Sequence, residues 1–255
     1  MHDGVPGHLR ERSGAQHRLR LLSGARLQRL LNAGQVLERD AYGVKVAQLP
    51  SGTILKLFRR KRRLSSAAWR PYAQRFVRNA ERLAQAGVPT VQVRALFWCL
   101  QAARHVVAYR PLVGTVLRQR LVDGDQVDWS QLAGFTAQLH RQGIYFRSLH
   151  SGNIVCLPGG GFGLIDIADL RVCSAPLGAM RRARNLRPLL QDPHMHPLRE
   201  PQAFGAFLDA YRDAAGLGRI ALGLFCRLAW RQWRRAAAQS SAQGGSDSGP
   251  SAGTR

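Results

Sequence analysis

Tyr145-Phe-Arg-Ser-Leu-His-Ser-Gly-Asn153, followed by Leu164-Ile-Asp-Ile-Ala-Asp169, is the stretch on which the fold of this chain turns. A loop amide, Asn153, precedes at short range a carboxylate, Asp166, that ends an apolar run. Between them, Ile154-Val-Cys-Leu157 and Phe162-Gly-Leu-Ile165 flank Pro158-Gly-Gly-Gly161, which reads as two short strands and a glycine-rich turn. Hard oxygen donors at both ends of a tight hairpin suit a magnesium ion shared with phosphate groups. A carboxylate ending a buried strand is also costly to desolvate without a cation. The competing reading has Asp166 capping a turn and Asn153 holding the loop together.

Working outward, Gln35–Asp40 and Val44–Leu49 read as strands, the second alternating at period two. Pro50-Ser-Gly52 turns the chain, and Thr53–Phe58 returns it as a meander. After the basic cluster Arg59–Arg63, Trp69–Ala86 reads as a helix with Phe76, Ala80, Leu83 and Ala84 on its apolar face. It stops at Gly87, with Pro89 just beyond. Thr90–Trp98 and His105–Tyr109 are two more strands, ended by Pro111-Leu-Val-Gly114. The pattern then turns helical, with Val116–Leu121 and with Trp129–Arg141, the latter N-capped by Asp128 and ended by Gly143. Beyond Asp169, Pro188, Pro193, Pro197 and Pro201 mark a looped region before helices over Phe204–Ala215 and Arg219–Ala237. The expected class is α+β in two lobes, β-rich over 26–110 and mainly helical over 111–237. A basic leader over 1–25 and a Ser/Gly/Ala-rich tail over 238–255 are expected to be disordered. No internal repeats are visible.

At 255 residues the chain is long enough for two lobes with a substantial core. Its formal net charge is +23, and of its basic residues only Lys45, Lys56 and Lys61 are lysines. Such an excess favours anionic partners, namely phosphorylated sugars, acidic lipid headgroups or nucleic acid. Equally, it can reflect a gene base composition that encodes arginine readily. Nucleic acid is the weakest of these partners, because charge alone points to it and no aromatic-interleaved or groove-reading motif is present. Cys99, Cys156, Cys173 and Cys226 are far apart and form no Cys-x-x-Cys pair, which argues against a zinc site or disulfide framework. No signal-peptide h-region opens the sequence, and no apolar run approaches the roughly 18 residues a spanning helix needs. A cytoplasmic protein is the expectation.

The loop and its strand resemble those of the kinase-like phosphotransferases, and among them the lipopolysaccharide core (Kdo/heptose) kinases. The likeness is nearest to their small "toluene tolerance"-type relatives in Gram-negative bacteria. The aminoglycoside-kinase loop reads His-Gly-Asp-Leu-His-Pro-Gly-Asn; here Leu149, His150, Gly152 and Asn153 match it, and Phe146, Arg147 and Ser148 depart from it. The resemblance reaches from about Gln35 to Tyr211. It implies a protein-kinase-like fold, ATP and Mg²⁺, and transfer of the γ-phosphate to a sugar hydroxyl. The implied acceptor is the lipopolysaccharide core or another phosphorylated sugar, met at the anionic cytoplasmic surface of the inner membrane.

The same resemblance assigns residues. Lys56, mid-strand between Leu55 and Leu57, would hold the α/β-phosphates, the alternative being a lysine snorkelling from an edge strand. Lys45 competes from one strand earlier but alternates onto the solvent face. Glu81, the only acidic residue of its helix, would pair with Lys56, or else is a solvated surface Glu. Asp40-Ala-Tyr-Gly43 would cover phosphate, although it lacks a Gly-x-Gly-x-x-Gly pattern. The main chain at Tyr109-Arg-Pro111 would read adenine. Asn153 and Asp166 would hold magnesium. Asp169 would support Asp166, bind a second metal, or pair with Arg171.

Ser148 occupies the place of the catalytic Asp that orients the acceptor hydroxyl. Its hydroxyl has no charge and no useful basicity near neutral pH, which opens a second reading as a nucleotide-binding pseudokinase. His150 is a substitute base or, as in the families that also keep the Asp, a structural residue. Arg147, Arg181–Arg184 and Arg187 are candidate contacts for an anionic acceptor. His140 reads as helix-end packing, and His194 and His196 lack a third ligand for a metal. The basic helix Arg219–Arg235, with Trp230 and Trp233, either lies on an anionic membrane or closes the helical lobe.

Overall fold

The period-two alternation between Gln35 and Phe58 becomes a β-meander in the computed structural model, which describes residues 18–59 and 71–244. Strands β2 (Gln35–Asp40), β3 (Gly43–Gln48) and β4 (Ile54–Arg59) are antiparallel neighbours. With β1 (Leu19–Leu21), β5 (Gln92–Cys99) and β6 (Arg104–Arg110) they form one six-stranded sheet of order β1-β5-β6-β4-β3-β2. Strand alternation sends Leu55, Leu57 and Val106 to one face, where they pack with Leu27 of α1 (Gly24–Ala33). Val107 and Leu96 face the other way, against Phe76, Ala80 and Leu83 of α2 (Tyr72–Gln85). Lys56, one residue out of step with Leu55 and Leu57, therefore points to the α2 side.

The helical half holds α3 (Leu117–Val122), α4 (Trp129–Arg141), α5 (Ala179–Gln191), α6 (Pro201–Ala214) and α7 (Arg219–Gly244). Asp128 caps α4 by accepting from the Gln131 amide at 2.9 Å. Short strands β7 (Thr115–Val116), β9 (Ile154–Cys156) and β10 (Phe162–Leu164) form one small sheet, and β8 (Ile144–Phe146) pairs with β11 (Leu170–Val172) in another. The protein is thus α+β, with a β-rich N-terminal lobe and a mainly helical C-terminal lobe.

Three expectations change. Part of the 1–25 leader is ordered: β1 adds in parallel to the edge of β5, and Ser23 caps α1 by accepting from the Arg26 amide. The region around Pro188 is helix α5 rather than loop, although Pro188 lies inside it and cannot give the hydrogen bond that the Arg184 carbonyl would take. Buried Ala183, Leu186, Leu189 and Leu190 carry the helix through. Helix α7 continues past Ala237 to Gly244. Its Trp230 and Trp233 pack on Phe204, with ring centroids 5.0 and 5.6 Å away, which favours the packing role over the membrane-surface role for these two residues. Residues 1–17, the basic stretch Arg60–Arg63, Trp69 and the tail from 245 lie outside the described residues. Among the described residues, no helix is long and apolar enough to cross a membrane.

Candidate functional site

A hollow of ≈ 520 Å³ opens between the β4 side of the large sheet and the turn after β10, and Lys56, Ser148, Asp166 and Asp169 all line it. Its volume lies in the range of small-molecule sites. Lys56 Nζ donates to Asp166 Oδ1 at 2.5 Å, linking the two lobes. The lysine side chain is 17% exposed and the aspartate side chain 54%, so the pair is buried at one end and open at the other. The ammonium also lies 5.6 and 5.8 Å from the ring centroids of Phe76 and Phe58, within cation–π range. Asp166 has φ 51° and ψ 43°, the left-handed conformation that few residues other than glycine adopt. Such backbone conformations gather at functional sites.

The roof of the hollow is the Asp40–Gly43 turn. Asp40 Oδ1 accepts from the Tyr42 amide at 2.8 Å, Arg104 donates to the Tyr42 carbonyl, and the Arg59 guanidinium lies 3.5 Å from the Tyr42 ring centroid. Lys45, expected on the solvent face, lines the same hollow and is ion-paired to Glu38. The hydrogen bond to Glu38 is the chief cause that raises its pKa.

The loop from Ser148 to Asn153 is tied to itself. The Asn153 side-chain amide donates to the Ser148 carbonyl at 3.0 Å. His150 Nδ1 accepts from the Gly152 amide at 3.2 Å, and its Nε2 lies 3.1 Å from the Asn153 amide nitrogen. His150 thus turns both ring nitrogens into the loop and does not line the hollow, which suits the structural role. Ser148 Oγ donates to Asp169 Oδ2 at 2.6 Å. The other oxygen, Asp169 Oδ1, is buried and takes no hydrogen bond among the described residues. No pairing of Asp169 with Arg171 is formed.

Several residues that no local pattern singled out hold this arrangement. Asn79, buried on α2, donates to the carbonyls of Ile167 (2.7 Å) and Leu170 (2.9 Å), pinning the helix to the turn that carries Asp166 and Asp169. Pro89 and Thr90 bracket Leu164: its amide donates to the Pro89 carbonyl at 2.9 Å, and Thr90 Oγ1 donates to its carbonyl at 2.7 Å. Gly163 permits this approach, because a Cβ there would stand 2.6 Å from the Pro89 oxygen. Asp192 accepts from the Ser151 amide (2.8 Å) and hydroxyl (2.5 Å), anchoring the far side of the loop. Burial works to raise its pKa, but the bonds from Ser151 and His194 hold it below the usual carboxylate value. Asn185 brackets Phe146, accepting from its amide at 3.3 Å and donating to its carbonyl at 2.5 Å.

Two expected site residues sit apart. Glu81 lines a separate hollow of ≈ 410 Å³ with Gly87–Val93, and its Oε1 is buried without a hydrogen bond among the described residues. It is not brought to Lys56, because the helix face toward the lysine carries Phe76. Tyr109 lies in the ladder between Ile54 and Val93, its ring 5.4 Å from that of Phe76, and does not line the hollow. Burial first, and then the negative charge of Asp166, push its phenol well above its usual pKa.

Among the described residues, no three His, Cys, Asp or Glu side chains converge as a metal cage. A magnesium ion normally takes only one or two protein oxygens and completes its shell with phosphate and water, so the carboxylate of Asp166 with the amide oxygen of Asn153 fits that ion. No protein-family model and no curated protein matches the chain. Solved structures similar to it include a structure of WbdD, at 17% identity and a TM-score of 0.48 over 80% of this chain and 50% of that one. Another, of the bifunctional kinase-methyltransferase WbdD, is 18% identical with a TM-score of 0.47, over 77% of this chain and 47% of that one. The chain spans about half the length of these neighbours.

Proposed function

We propose that this protein is an ATP-dependent phosphotransferase that moves the γ-phosphate to a hydroxyl of a phosphorylated sugar, the lipopolysaccharide core being the acceptor to try first. The observation that carries the reading is the Lys56–Asp166 contact of 2.5 Å across the lobes, in one hollow with Ser148 and Asp169. A lysine and a carboxylate so placed can exchange their mutual bond for phosphate oxygens and a metal ion when nucleotide enters. Lys56 would hold the α/β-phosphates. Asp166 and Asn153 would hold Mg²⁺, whose role is to offset phosphate charge. The Tyr42 turn would lie over the phosphates. The acceptor's phosphates would meet the arginine-rich surface, at the cytoplasmic face of the inner membrane.

The test is transfer of labelled γ-phosphate from Mg·ATP to rough lipopolysaccharide, with Asp166→Asn beside the wild type. Label in the lipid that disappears in the variant is expected; an unchanged signal in the variant would falsify the site. The second reading, a pseudokinase that binds nucleotide without turnover, is favoured by Ser148 at the position of the catalytic Asp. It predicts Mg·ATP binding with no transfer to any acceptor.

A further inference from the structure

We infer that Ser148 and Asp169 form a two-residue proton relay that replaces the missing loop carboxylate, with Asp169 as its base. The inference rests on the phosphotransferase reading above. Its ground is the hydrogen bond from Ser148 Oγ to Asp169 Oδ2, 2.6 Å long, between two residues that both line the hollow holding Lys56 and Asp166.

A serine alone is a poor base. Here its hydroxyl proton is committed to a carboxylate, so its oxygen is free to accept from an incoming alcohol. The serine is also held in place: its carbonyl accepts from the His150 amide at 2.9 Å and from the Asn153 side chain at 3.0 Å. Asp169 is placed for the role by geometry: its Oδ2 is bonded to the serine and its other contacts are few. No Lys, Arg or His lies within ion-pairing distance of it among the described residues, and its Oδ1 is buried without a hydrogen bond. Asp166, by contrast, is ion-paired to the Lys56 ammonium. The two carboxylates, three positions apart, thus have different partners: the Lys56 ammonium for Asp166, the Ser148 hydroxyl for Asp169.

The step balances as follows. The acceptor hydroxyl gives its proton to Ser148 Oγ as the serine proton passes to Asp169 Oδ2. The acceptor oxygen bonds to the γ-phosphorus, the bond from that phosphorus to the β,γ-bridging oxygen breaks, and ADP leaves. Asp169 then returns its proton to solvent. Ser148 touches the substrate; Asp169 acts through it.

The experiment uses the full chain, Mg·ATP binding by calorimetry, and turnover against both water and rough lipopolysaccharide. Ser148→Ala and Asp169→Asn are each expected to lower kcat by about 10²–10³-fold, the usual worth of a positioned base, with Mg·ATP affinity kept. The double variant Ser148→Ala/Asp169→Asn is expected to lose no more than either single one, because the pair acts as a unit. Ser148→Asp in the Asp169→Asn background is expected to regain turnover, since it restores a carboxylate at the acceptor; a structural role for Asp169 would not permit that rescue. The relay is overturned if Asp169→Asn weakens Mg·ATP as Asp166→Asn does, because Asp169 is then a metal ligand. It is overturned equally if intact mass shows phosphate held on Ser148, or if the wild type binds Mg·ATP without turning over on either acceptor. Failure of the wild type to bind Mg·ATP at all would instead remove the phosphotransferase reading beneath it.

Discussion

Lys56 and Asp166 are 110 positions apart in sequence and 2.5 Å apart in space, and their ion pair joins the sheet lobe to the turn after β10. Half of the pair is open to solvent, so it adds little to folding: exposed pairs contribute about 0–1 kcal/mol. Its value is to ligand binding. Lys56→Met is therefore expected to leave the thermal midpoint within a few degrees of wild type while weakening Mg·ATP by about ten-fold or more, the worth of a charge-assisted hydrogen bond. Calorimetric titration beside a melting curve separates the two effects. A variant that melts early and binds normally would reverse the assignment.

Glu81 supplies the opposite prediction. It lies in a different hollow, and Phe76 occupies the helix face beneath the Lys56 ammonium. Glu81→Gln is expected to leave the dissociation constant for Mg·ATP within about two-fold of wild type, since no charge next to the nucleotide changes. A loss as large as that of Lys56→Met would mean that α2 rotates to deliver Glu81 when nucleotide binds.

Elements whose period is local were legible in the sequence. The meander β2–β4 and helix α4, with Asp128 before it and Gly143 after it, could be read because alternation and capping are written within a few residues. Strands β8 and β11 could not, since three residues carry no period, no glycine-rich turn joins them as Pro158–Gly161 joins β9 to β10, and each exists by pairing with the other. Helix α5 was hidden by Pro188, which reads as a helix breaker, whereas burial of Leu186, Leu189 and Leu190 holds the helix despite the lost hydrogen bond. Within the site, the resemblance to kinase-like phosphotransferases pointed to Lys56 and Asp166, and the fold brings these two side chains together. Asn79 and Asp192 were not found, because their partners are main-chain and hydroxyl groups remote in sequence, 88 positions away for Asn79 and Ile167. A polar residue on an apolar helix face was the one available signal for Asn79. Glu81 misled because acidity is visible in a sequence and the face a helix turns is not.

Asn79 joins fold to function in a way that can be measured. Its amide donates to two carbonyls of the Asp166–Leu170 turn, at 2.7 and 2.9 Å. Asn79→Ala strands both acceptors in a buried place, at a cost of about 1–3 kcal/mol each at most. Asn79→Asp is expected to be worse than Ala, because a carboxylate would face the same two carbonyl oxygens. Urea unfolding ranks the three proteins, and the order wild type, Ala, Asp is the expected one. Since the turn carries both site carboxylates, turnover of Asn79→Ala is expected to fall while the folded fraction stays high. Equal stability of the Ala variant and wild type would show that the carbonyls find other partners.

His140 governs the response to acid. It is fully buried, with Nδ1 2.7 Å from the Tyr211 hydroxyl and Nε2 3.2 Å from Asn185 Oδ1. The geometry suits a neutral ring that accepts from the phenol and donates to the amide oxygen. Burial, and then the positive charge of Arg182, lower its pKa to about 3, with the Asn185 bond pulling the other way. In the unfolded chain the group titrates near its model value of 6.5. The folded pKa is the lower one, so the unfolded state binds more protons below that value. Stability is then fully present above pH 6.5 and is lost as pH falls toward about 3, by at most about 1.4 kcal/mol per pH unit. Asp192 loses stability in the same direction, but only below the ordinary carboxylate range, so the window from about pH 6 to 4.5 belongs to His140. The thermal midpoint is expected to be flat above neutrality and to fall through this window. His140→Gln, less stable at pH 7, is expected to lack the fall. Parallel curves for the two proteins would assign the acid response elsewhere. Because Asn185 holds both His140 and the main chain of Phe146, protonation of the ring is expected to loosen the loop leading to Ser148. Turnover would then decline at a higher pH than global unfolding.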